Sequence, residues 1–361
     1  MPSLLDPLRL GDLVLKNRIV MAPLTRARSG DERTPGPMVA EYYAQRASAG
    51  LIISEATSVT PMGVGYAGTP GLWSEAQTAG WRLTSAAVHK AGGLIFAQLW
   101  HVGRISDPVF LRGRPPVSAS GIAARGNVSL LQPKRPYPIP RPLSLAEIAD
   151  VVEAYRRAAE NAKRAGFDGV ELHGANGYLL DQFLQDRSNL RDDAYGGPIE
   201  NRARLMLEAV DAAAAVFGPE RVGLHLAPRG DSHDMGDSDP AATFGYVARA
   251  ARERGLAFLC ARERVADDRI GPALKAAFGG VYIANEGFDP TGAEALLAAG
   301  EADAVAFGKL FMSNPDLPER IRTGAPLAPW KMETFYTPGA EGYIDYPNFA
   351  LAPRETESAP S

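Results

Sequence analysis

The stretch that decides the fold is Gly169-Val170-Glu171-Leu172-His173, which is followed at once by Gly174-Ala175-Asn176-Gly177-Tyr178. Its first half is a short, mainly apolar run of the length that suits a strand buried on both faces, as in a parallel sheet. Seven similar runs, rich in Val, Ile and Leu, occur at residues 19–22, 51–56, 94–99, 222–226, 257–260, 280–284 and 304–308. The chain therefore contains eight candidate strands for one parallel sheet.

Longer stretches of helical character separate these runs, and several of them begin with capping signals. Ser144 stands three residues before Glu147 and predicts a capping box at the start of a helix over residues 145–165. Asp239 followed by Pro240 predicts a second helix start. A strand followed by a helix, repeated eight times, is typical of an α/β protein of the (β/α)8 TIM-barrel class. Two smaller α/β domains are the alternative, but no linker rich in Pro, Gly or Ser divides the chain.

The domain organisation follows from this repeat. We expect a single barrel domain over residues 1–350. Residues 104–141, rich in Pro, Gly and Arg, interrupt the repeat after the third strand and predict a long loop insertion with a short hairpin over the barrel mouth. Residues 351–361 are mostly polar and are predicted to form a disordered C-terminal tail.

The composition excludes several classes of function. The formal net charge of the 361 residues is −4 and charges of both signs are interspersed, so neither nucleic acid nor a membrane surface is expected as a partner. The single cysteine, Cys260, excludes a disulfide framework and lies in an apolar run, where a buried strand residue is expected. No apolar run approaches the roughly 18 residues of a membrane span. We expect no signal peptide, because the first residues lack a basic region followed by a long apolar stretch. We therefore expect a cytoplasmic protein, a monomer or a homodimer, that acts on a small molecule.

Catalytic residues of such barrels lie at the C-terminal ends of the strands and in the loops that follow. The polar residues at these positions would therefore face one shared cavity. They are Thr25, Gln98, His101, His173, Asn176, His225, Arg262, Asn285 and Lys309. An aspartate-rich loop at residues 231–239 lacks the glycine and glutamate spacing of a calcium-binding loop, so no metal site is expected. The same loop contains His233, which we expect at the surface.

The segment from His173 to Tyr178 is the densest of these groups. His173 and Asn176 stand three residues apart in a glycine-containing turn, from which both can donate hydrogen bonds to one substrate oxygen. Two donors aimed at a carbonyl would stabilise the enolate that forms when a nucleophile adds at the β-carbon. Tyr178 could then deliver a proton to the α-carbon as a general acid. Spacing alone favours the alternative interpretation, a capping histidine and a packing tyrosine.

The ends of the last two strands predict a phosphate site, because many barrels bind phosphate in the corresponding loops. Asn285-Glu286-Gly287 and Gly308-Lys309 would offer backbone N–H groups and one cation. This pattern indicates a phosphate-bearing cofactor or substrate. The chain has neither a Walker loop nor an opening Gly-x-Gly-x-x-Gly motif, which disfavours a Rossmann fold.

Several longer segments resemble signatures of the Old Yellow Enzyme family, which comprises FMN-dependent NAD(P)H ene-reductases similar to N-ethylmaleimide reductase. The segments occur in the family's order over nearly the whole chain, at residues 16–26, 41–47, 96–104, 165–173, 181–184, 193–197, 200–202, 314–318 and 342–347. Agreement of so many segments in one order is far beyond chance. The resemblance therefore supports the (β/α)8 barrel independently of the strand count.

The resemblance implies FMN at the barrel mouth, hydride from NADPH or NADH, and reduction of activated C=C bonds such as those of enones, maleimides and nitroalkenes. It implies that His173 and Asn176 hold the substrate's carbonyl or nitro oxygen and that Tyr178 donates the proton. Residues implied to contact the flavin ring are Pro23, Leu24, Thr25, Ala56 and Gln98. Residues implied at its N1 edge or its phosphate are His225, Asn285, Gly287, Gly308 and Lys309. Residues implied to shape the substrate pocket are Tyr66, Trp100 and Tyr343.

Two positions depart from the family's pattern. His225 stands where the family usually has an arginine that compensates the charge of reduced flavin, and Lys309 replaces the arginine that grips the phosphate. Histidine can be uncharged at pH 7, and lysine lacks the bidentate fork of arginine. The sequence therefore predicts weaker FMN binding or an altered flavin potential. The alternative function is a repurposed barrel with weak or no FMN binding that acts as a redox-neutral isomerase or a binding protein.

Overall fold

Eight parallel strands close into a barrel in the computed structural model, which describes residues 1–349. In chain order the strands are β1 (Leu8–Leu10), β2 (Leu13–Leu15), β3 (Ile19–Met21), β4 (Leu51–Ile53), β5 (Thr57–Ser58), β6 (Ile95–Trp100), β7 (Val117–Ser118), β8 (Arg141–Pro142), β9 (Gly169–Gly174), β10 (Val222–Leu226), β11 (Phe258–Arg262), β12 (Val281–Asn285) and β13 (Ala304–Phe307). The barrel order is β3-β4-β6-β9-β10-β11-β12-β13, and the parallel pairing of β13 with β3 closes it. This confirms the (β/α)8 prediction, because each of the eight apolar runs overlaps one barrel strand.

Helices surround the barrel and connect its strands. They are α1 (Pro37–Ala44), α2 (Glu75–Lys90), α3 (Leu145–Arg164), α4 (Leu179–Leu184), α5 (Ile199–Phe217), α6 (Pro240–Glu253), α7 (Gly271–Phe278), α8 (Pro290–Ala298), α9 (Lys309–Ser313) and α10 (Leu317–Thr323). The predicted capping box opens α3: Glu147 N–H donates to the Ser144 hydroxyl, and Ser144 N–H donates to the Glu147 carboxylate. The Asp239 side chain caps α6 as predicted. In the described part of the chain, no helix is long and apolar enough to cross a membrane.

The insertion at residues 104–141 differs from its prediction. Its two short strands, β7 and β8, pair in parallel, and a single antiparallel bridge joins Asn127 to Pro136. The predicted hairpin is therefore reduced to this one bridge, flanked by backbone hydrogen bonds from Val128 N–H to Arg135 and from Tyr137 N–H to Gly126, because the prolines of this segment lack the N–H groups that a longer antiparallel ladder needs. The predicted disordered tail at 351–361 lies outside the described residues.

An antiparallel hairpin of β1 and β2, absent from the sequence prediction, covers the N-terminal end of the barrel. Leu10 and Leu15 of this hairpin are fully buried and pack in one cluster with residues of the barrel strands, including Phe96 and Phe258. Small residues make room for these two rings, whose centroids are 6.0 Å apart. A Cβ atom at Gly223 would lie 2.1 Å from the Phe258 ring, and one at Gly169 would lie 2.4 Å from the Phe96 ring. The half of the barrel next to this hairpin is therefore filled with apolar side chains. The polar side chains lie in the other half, toward the C-terminal ends of the strands.

Gly223→Ala should destabilise the fold by about 1–3 kcal/mol, because the new methyl group forces the packed Phe258 ring and the backbone to shift. The matched control is Gly245→Ala in α6, where the nearest atom to the added carbon is the end of the flexible Arg249 side chain at 3.4 Å. This control should be neutral or stabilising by up to about 1 kcal/mol, since alanine favours helix. Urea unfolding of the two variants measures both effects, and equal stability would contradict the packing described.

Candidate active site

The closed parallel barrel brings the C-terminal ends of its strands to one rim. The register of the strands places His225 on β10 opposite His173 on β9 and opposite Cys260 on β11. Gln98 on β6 and Glu171 on β9 are likewise paired in register. All five side chains are buried, with exposed fractions of 5% or less. Three of the polar residues predicted from strand ends, Gln98, His173 and His225, therefore lie together with Glu171 and Cys260, which the sequence analysis did not place among the site residues.

A buried charge pair lies beneath the rim. His225 Nδ1 lies 3.5 Å from Glu171 Oε2, and the Gln98 amide donates to the same carboxylate oxygen at 2.7 Å. Burial alone would disfavour a charged His225, but the neighbouring Cys260 and Glu171 outweigh it and raise the pKa of His225 to about 10. Burial raises the pKa of the Cys260 thiol, and the charge of His225 opposes that shift. The contacts with Cys260 and Glu171 thus favour the imidazolium form of His225.

Two atoms of this pair lack partners among the described residues. His225 Nε2 and Glu171 Oε1 are buried and make no hydrogen bond. Unsatisfied buried polar groups cost free energy, so their presence indicates a ligand that would complete them. Glu171, His225 and Cys260 also place three possible metal-ligand atoms within 4.8 Å of one another. We assign the group to charge pairing, because one Glu171 oxygen already accepts from Gln98 and lies beside His225.

His173 is an uncharged hydrogen-bond donor. Burial first, and then the positive charge of His225 and Arg262, lower the pKa of His173 well below its ordinary value. The Ala175 N–H donates to His173 Nδ1 at 3.3 Å, so the proton of the neutral ring resides on Nε2. Asn176 follows in the left-handed backbone conformation, with φ of +58°, and its Oδ1 accepts from Arg262 at 2.7 Å. The turn after β9 therefore places a fixed N–H donor beside an oriented amide.

Tyr178 lies against this pair with its proton retained. Its ring is 5.0 Å from that of His173 and 4.8 Å from that of Trp100, measured between centroids. Its hydroxyl is 2.9 Å from the hydroxyl of Tyr66, whose ring stacks on Trp100. Burial raises the pKa of Tyr178, so the phenol stays protonated at neutral pH. The structure thus groups the predicted proton donor with two of the three predicted pocket residues.

Tyr343, the third predicted pocket residue, lies elsewhere. It is fully buried, its ring stacks on Tyr42 at 4.1 Å, and the Arg28 guanidinium lies 4.4 Å from its ring centroid. None of these contacts joins it to Tyr178 or Trp100. The segment carrying Tyr343 packs on α1 instead, so its assignment to the pocket gains no support from these contacts.

The residues assigned to the cofactor lie at other points of the same rim. Pro23, Leu24 and Thr25 directly follow β3 and are partly exposed, whereas Ala56 follows β4 and is buried. Gly308 directly follows β13. A Cβ atom added at Gly308 would meet the side chain of Leu24 first. The Lys309 side chain is exposed, with its ammonium 5.6 Å from the ring centroid of Trp330.

The loop after β12 contains Asn285 and Gly287, the other two residues assigned to the cofactor's phosphate. Gly287 is exposed, with open space on the side where a side chain would stand. Its backbone is therefore accessible to an anion. Glu286 between them turns away from this position, because its carboxylate pairs with Arg262 at 2.9 Å.

His233 belongs to the site, against the prediction that it lies at the surface. Its Nδ1 is 2.6 Å from the backbone oxygen of Asn176, and its ring centroid is 5.2 Å from that of Tyr178. Arg104 holds this loop by donating to the backbone oxygens of His233 and Asp234. No local pattern in the sequence signals this contact, because His233 and Asn176 are 57 residues apart.

Comparisons with known proteins agree with this geometry. The sequence model of the NADH:flavin oxidoreductase / NADH oxidase family matches residues 3–328. The chain is 42% identical over 358 residues to 12-oxophytodienoate reductase 1 of Oryza sativa subsp. japonica, covering 95% of this chain and 92% of that protein. The old yellow enzyme homologue from Zymomonas mobilis superposes with a TM-score of 0.94 at 44% identity, over 96% of this chain and 99% of the other. Morphinone reductase in complex with tetrahydroNAD superposes with a TM-score of 0.93 at 48% identity, over 97% and 98%.

The raised pKa of His225 predicts a pH-dependent contribution to stability. A histidine whose pKa rises on folding, here from 6.5 to about 10, stabilises the folded state fully below pH 6.5. That stabilisation is lost as the pH rises toward 10. The His225→Gln substitution should therefore lower the free energy of unfolding most at pH 6.5 and progressively less as the pH rises toward 10. Urea titrations of the wild type and the variant measure this difference.

His101→Gln is the matched control for this measurement. Burial lowers the pKa of His101 to about 3, so His101 is uncharged throughout the window. The His101→Gln substitution should lower the free energy of unfolding by the same amount at every pH between 6.5 and 10. A loss in His225→Gln that is equally independent of pH would show that His225 is not charged.

Proposed function

The chain belongs to the Old Yellow Enzyme family of NADH:flavin oxidoreductases, and from that premise we propose that His173, Asn176 and Tyr178 carry its reaction. The protein is an FMN-dependent ene-reductase that reduces activated C=C bonds with hydride from NAD(P)H. The proposal is supported by the position of two neutral donors, His173 and Asn176, beside the protonated phenol of Tyr178 at one rim. Family membership favours this function over a repurposed barrel that lacks flavin.

The rim residues fit FMN. A protonated His225 with an unpartnered Nε2–H suits an acceptor that bears partial negative charge, as the N1 and C2-carbonyl edge of a flavin does. Gln98 lies beside it in the same buried layer and would bind the pyrimidine edge. Pro23, Leu24, Thr25 and Ala56 would line the ring. We assign the phosphate to the backbone around Asn285, Gly287 and Gly308, with Lys309 as the nearby cation.

Lys309, in place of the arginine that the family uses to grip the phosphate, still predicts weaker binding of FMN. Lys309 is exposed and lies over Trp330, so binding a phosphate requires its side chain to leave that ring. Lysine also offers a point charge in place of a bidentate fork. His225, in contrast, has a raised pKa in this environment, so the imidazolium form that would replace the charge of the family's arginine is favoured. We therefore expect an FMN complex that is weaker mainly through its phosphate.

The chain's own residues stabilise the negative charge that develops on the substrate. FMN held at this rim would supply the hydride, taken from NAD(P)H, for the β-carbon of the activated bond. Negative charge then develops on the carbonyl or nitro oxygen. His173 Nε2–H and the Asn176 amide are held in place before the reaction, so they stabilise that charge without a reorganisation cost.

Tyr178 supplies the proton that completes the reduction. Its phenol is protonated at neutral pH and packs edge-on against His173, which places it beside the oxygen-binding pair. Transfer of this proton to the α-carbon neutralises the enolate. The Tyr66 hydroxyl, 2.9 Å away, can return a proton to Tyr178 or stabilise the phenolate that is left. Because NAD(P)H is supplied inside cells, we propose that the enzyme works in the cytoplasm.

The absorption spectrum tests the proposed function. Protein that has been incubated with FMN and desalted should retain visible flavin absorbance, which anaerobic NADPH should bleach and an enone should restore. Tyr178→Phe should slow the restoring step by about 10²-fold or more, since a positioned general acid is worth that much. Stopped-flow absorbance with 2-cyclohexenone measures the rate.

The bleaching step is the internal control, because reduction by NADPH does not use the phenolic proton and should keep its rate in Tyr178→Phe. Tyr66→Phe is the matched variant: it removes the hydroxyl that contacts Tyr178 and should slow the restoring step far less. If Tyr178→Phe leaves both steps unchanged, Tyr178 is not the proton donor. If the wild type retains no flavin, the cofactor assignment fails.

A further inference from the structure

The side chain of Arg262 connects Asn176, which is proposed to bind the substrate, to Glu286 in the loop after β12. Arg262, the last residue of β11, donates from Nη1 to Asn176 Oδ1 at 2.7 Å. Its Nε and Nη2 face the Glu286 carboxylate, at 2.9 and 3.0 Å. A guanidinium presents these donors in one rigid plane, so the two contacts fix each other's direction. Arg262 is about one-third exposed and Glu286 about one-fifth, so both lie at the wall of the rim and not on open surface.

Glu286 occupies an unusual backbone conformation to make this contact. Its φ is +103°, a region that residues with a side chain rarely adopt. Such a conformation persists only where the surroundings enforce it, and it is concentrated at functional sites. The surroundings here are Arg262 and, at 3.4 Å, Arg264. The ion pairs therefore hold Glu286 in place, and Glu286 in turn fixes the guanidinium.

The contact decides which way the Asn176 amide faces. The backbone of Asn176 is already fixed, because its carbonyl accepts from His233. The side-chain amide could still rotate and exchange its oxygen and nitrogen. With Arg262 beside it, rotation would set the amide N–H groups against guanidinium N–H groups, which repel. Oδ1 must therefore face Arg262, and Nδ2 is left to donate elsewhere.

We propose that Arg262 is a positioning residue, which turns the Asn176 amide so that Nδ2 donates to the substrate oxygen, and that Glu286 holds Arg262 in that pose. This inference rests on the proposed function, since it assumes that Asn176 binds that oxygen. The guanidinium charge acts in the same direction, because it helps to keep His173 uncharged and therefore a neutral donor. Arg262 acts through its neighbours and needs no contact with the substrate.

A double-mutant cycle between Arg262→Met and Asn176→Ala tests the proposal. The probe is 4-chlorophenol, an oxygen ligand that cannot be reduced, and its dissociation constant is read from the change in flavin absorbance of FMN-loaded protein. Asn176→Ala should raise the dissociation constant about tenfold, the loss expected for one hydrogen bond of about 1.4 kcal/mol. Arg262→Met should raise it by a similar factor when Asn176 is present, and by less than twofold when Asn176 is replaced by Ala.

Other outcomes of the cycle overturn the inference. An equal effect of Arg262→Met in both backgrounds would mean that Arg262 acts on the ligand directly, and no effect in either would mean that the contact is irrelevant. If Asn176→Ala itself leaves the dissociation constant unchanged, the oxygen clamp of the proposed function fails, and this result is distinct from a failure at Arg262. Should Arg262→Met not fold, Arg262→Lys takes its place, since an ammonium lacks the rigid plane that fixes the directions of the two contacts together, and the same criteria apply.

Glu286→Gln tests the second half of the proposal. It removes the carboxylate charge but leaves the guanidinium within reach of Asn176, so the dissociation constant for 4-chlorophenol should rise by two- to fivefold, less than in Arg262→Met. An unchanged constant would remove Glu286 from the account. The matched control is Glu301→Gln, which removes the carboxylate of an ion pair with Arg269, outside the rim. This control should leave the dissociation constant for 4-chlorophenol unchanged.

Discussion

Parallel closure of the barrel is the constraint on which the rest of the structure depends. Because all eight strands run in one direction and β13 pairs with β3, every strand ends at the same rim. Residues that are distant in sequence, such as Gln98, His173, His225 and Arg262, therefore meet there. The packing of Phe96 and Phe258 against glycines fills the opposite half. The filled half supports the strands, and the rim is left for polar chemistry.

The charge pair of Glu171 and His225 is the most consequential feature within that rim. Two buried charges are tolerated only when they are paired and hydrogen-bonded, because desolvation costs several kcal/mol per ion. Cys260 and Glu171 raise the pKa of His225 against the effect of burial, and the charge of His225 adds to the burial that lowers the pKa of His173. The two histidines therefore have pKa values shifted in opposite directions and can take different roles. The substitution of histidine for the family's arginine is less severe than the sequence alone implied.

Much of the fold and part of the site could be predicted from the sequence, because their signals are local. The eight strands follow from apolar runs, and His173, Asn176 and Tyr178 lie within one short turn after a strand. Contacts between distant segments could not be predicted. Arg262 and Asn176 are 86 residues apart, and nothing near either residue indicates the other. The charge of His225 depends on Glu171, a strand residue that sequence alone places in the barrel without a partner. The pocket assignment of Tyr343 stays a prediction, since this residue packs on Tyr42 and has none of the aromatic contacts that join Tyr66, Trp100 and Tyr178.

In the proposed reaction the rim holds an oxygen of the substrate and delivers a proton to the α-carbon while hydride arrives at the β-carbon. The decisive measurement is the reduction of 2-cyclohexenone by NADPH in D2O, with the position of deuterium in the product determined by NMR. We expect one deuterium from solvent at the α-carbon and hydrogen from NADPH at the β-carbon. Deuterium at the β-carbon with none at the α-carbon, or an unreduced C=C bond, would contradict it.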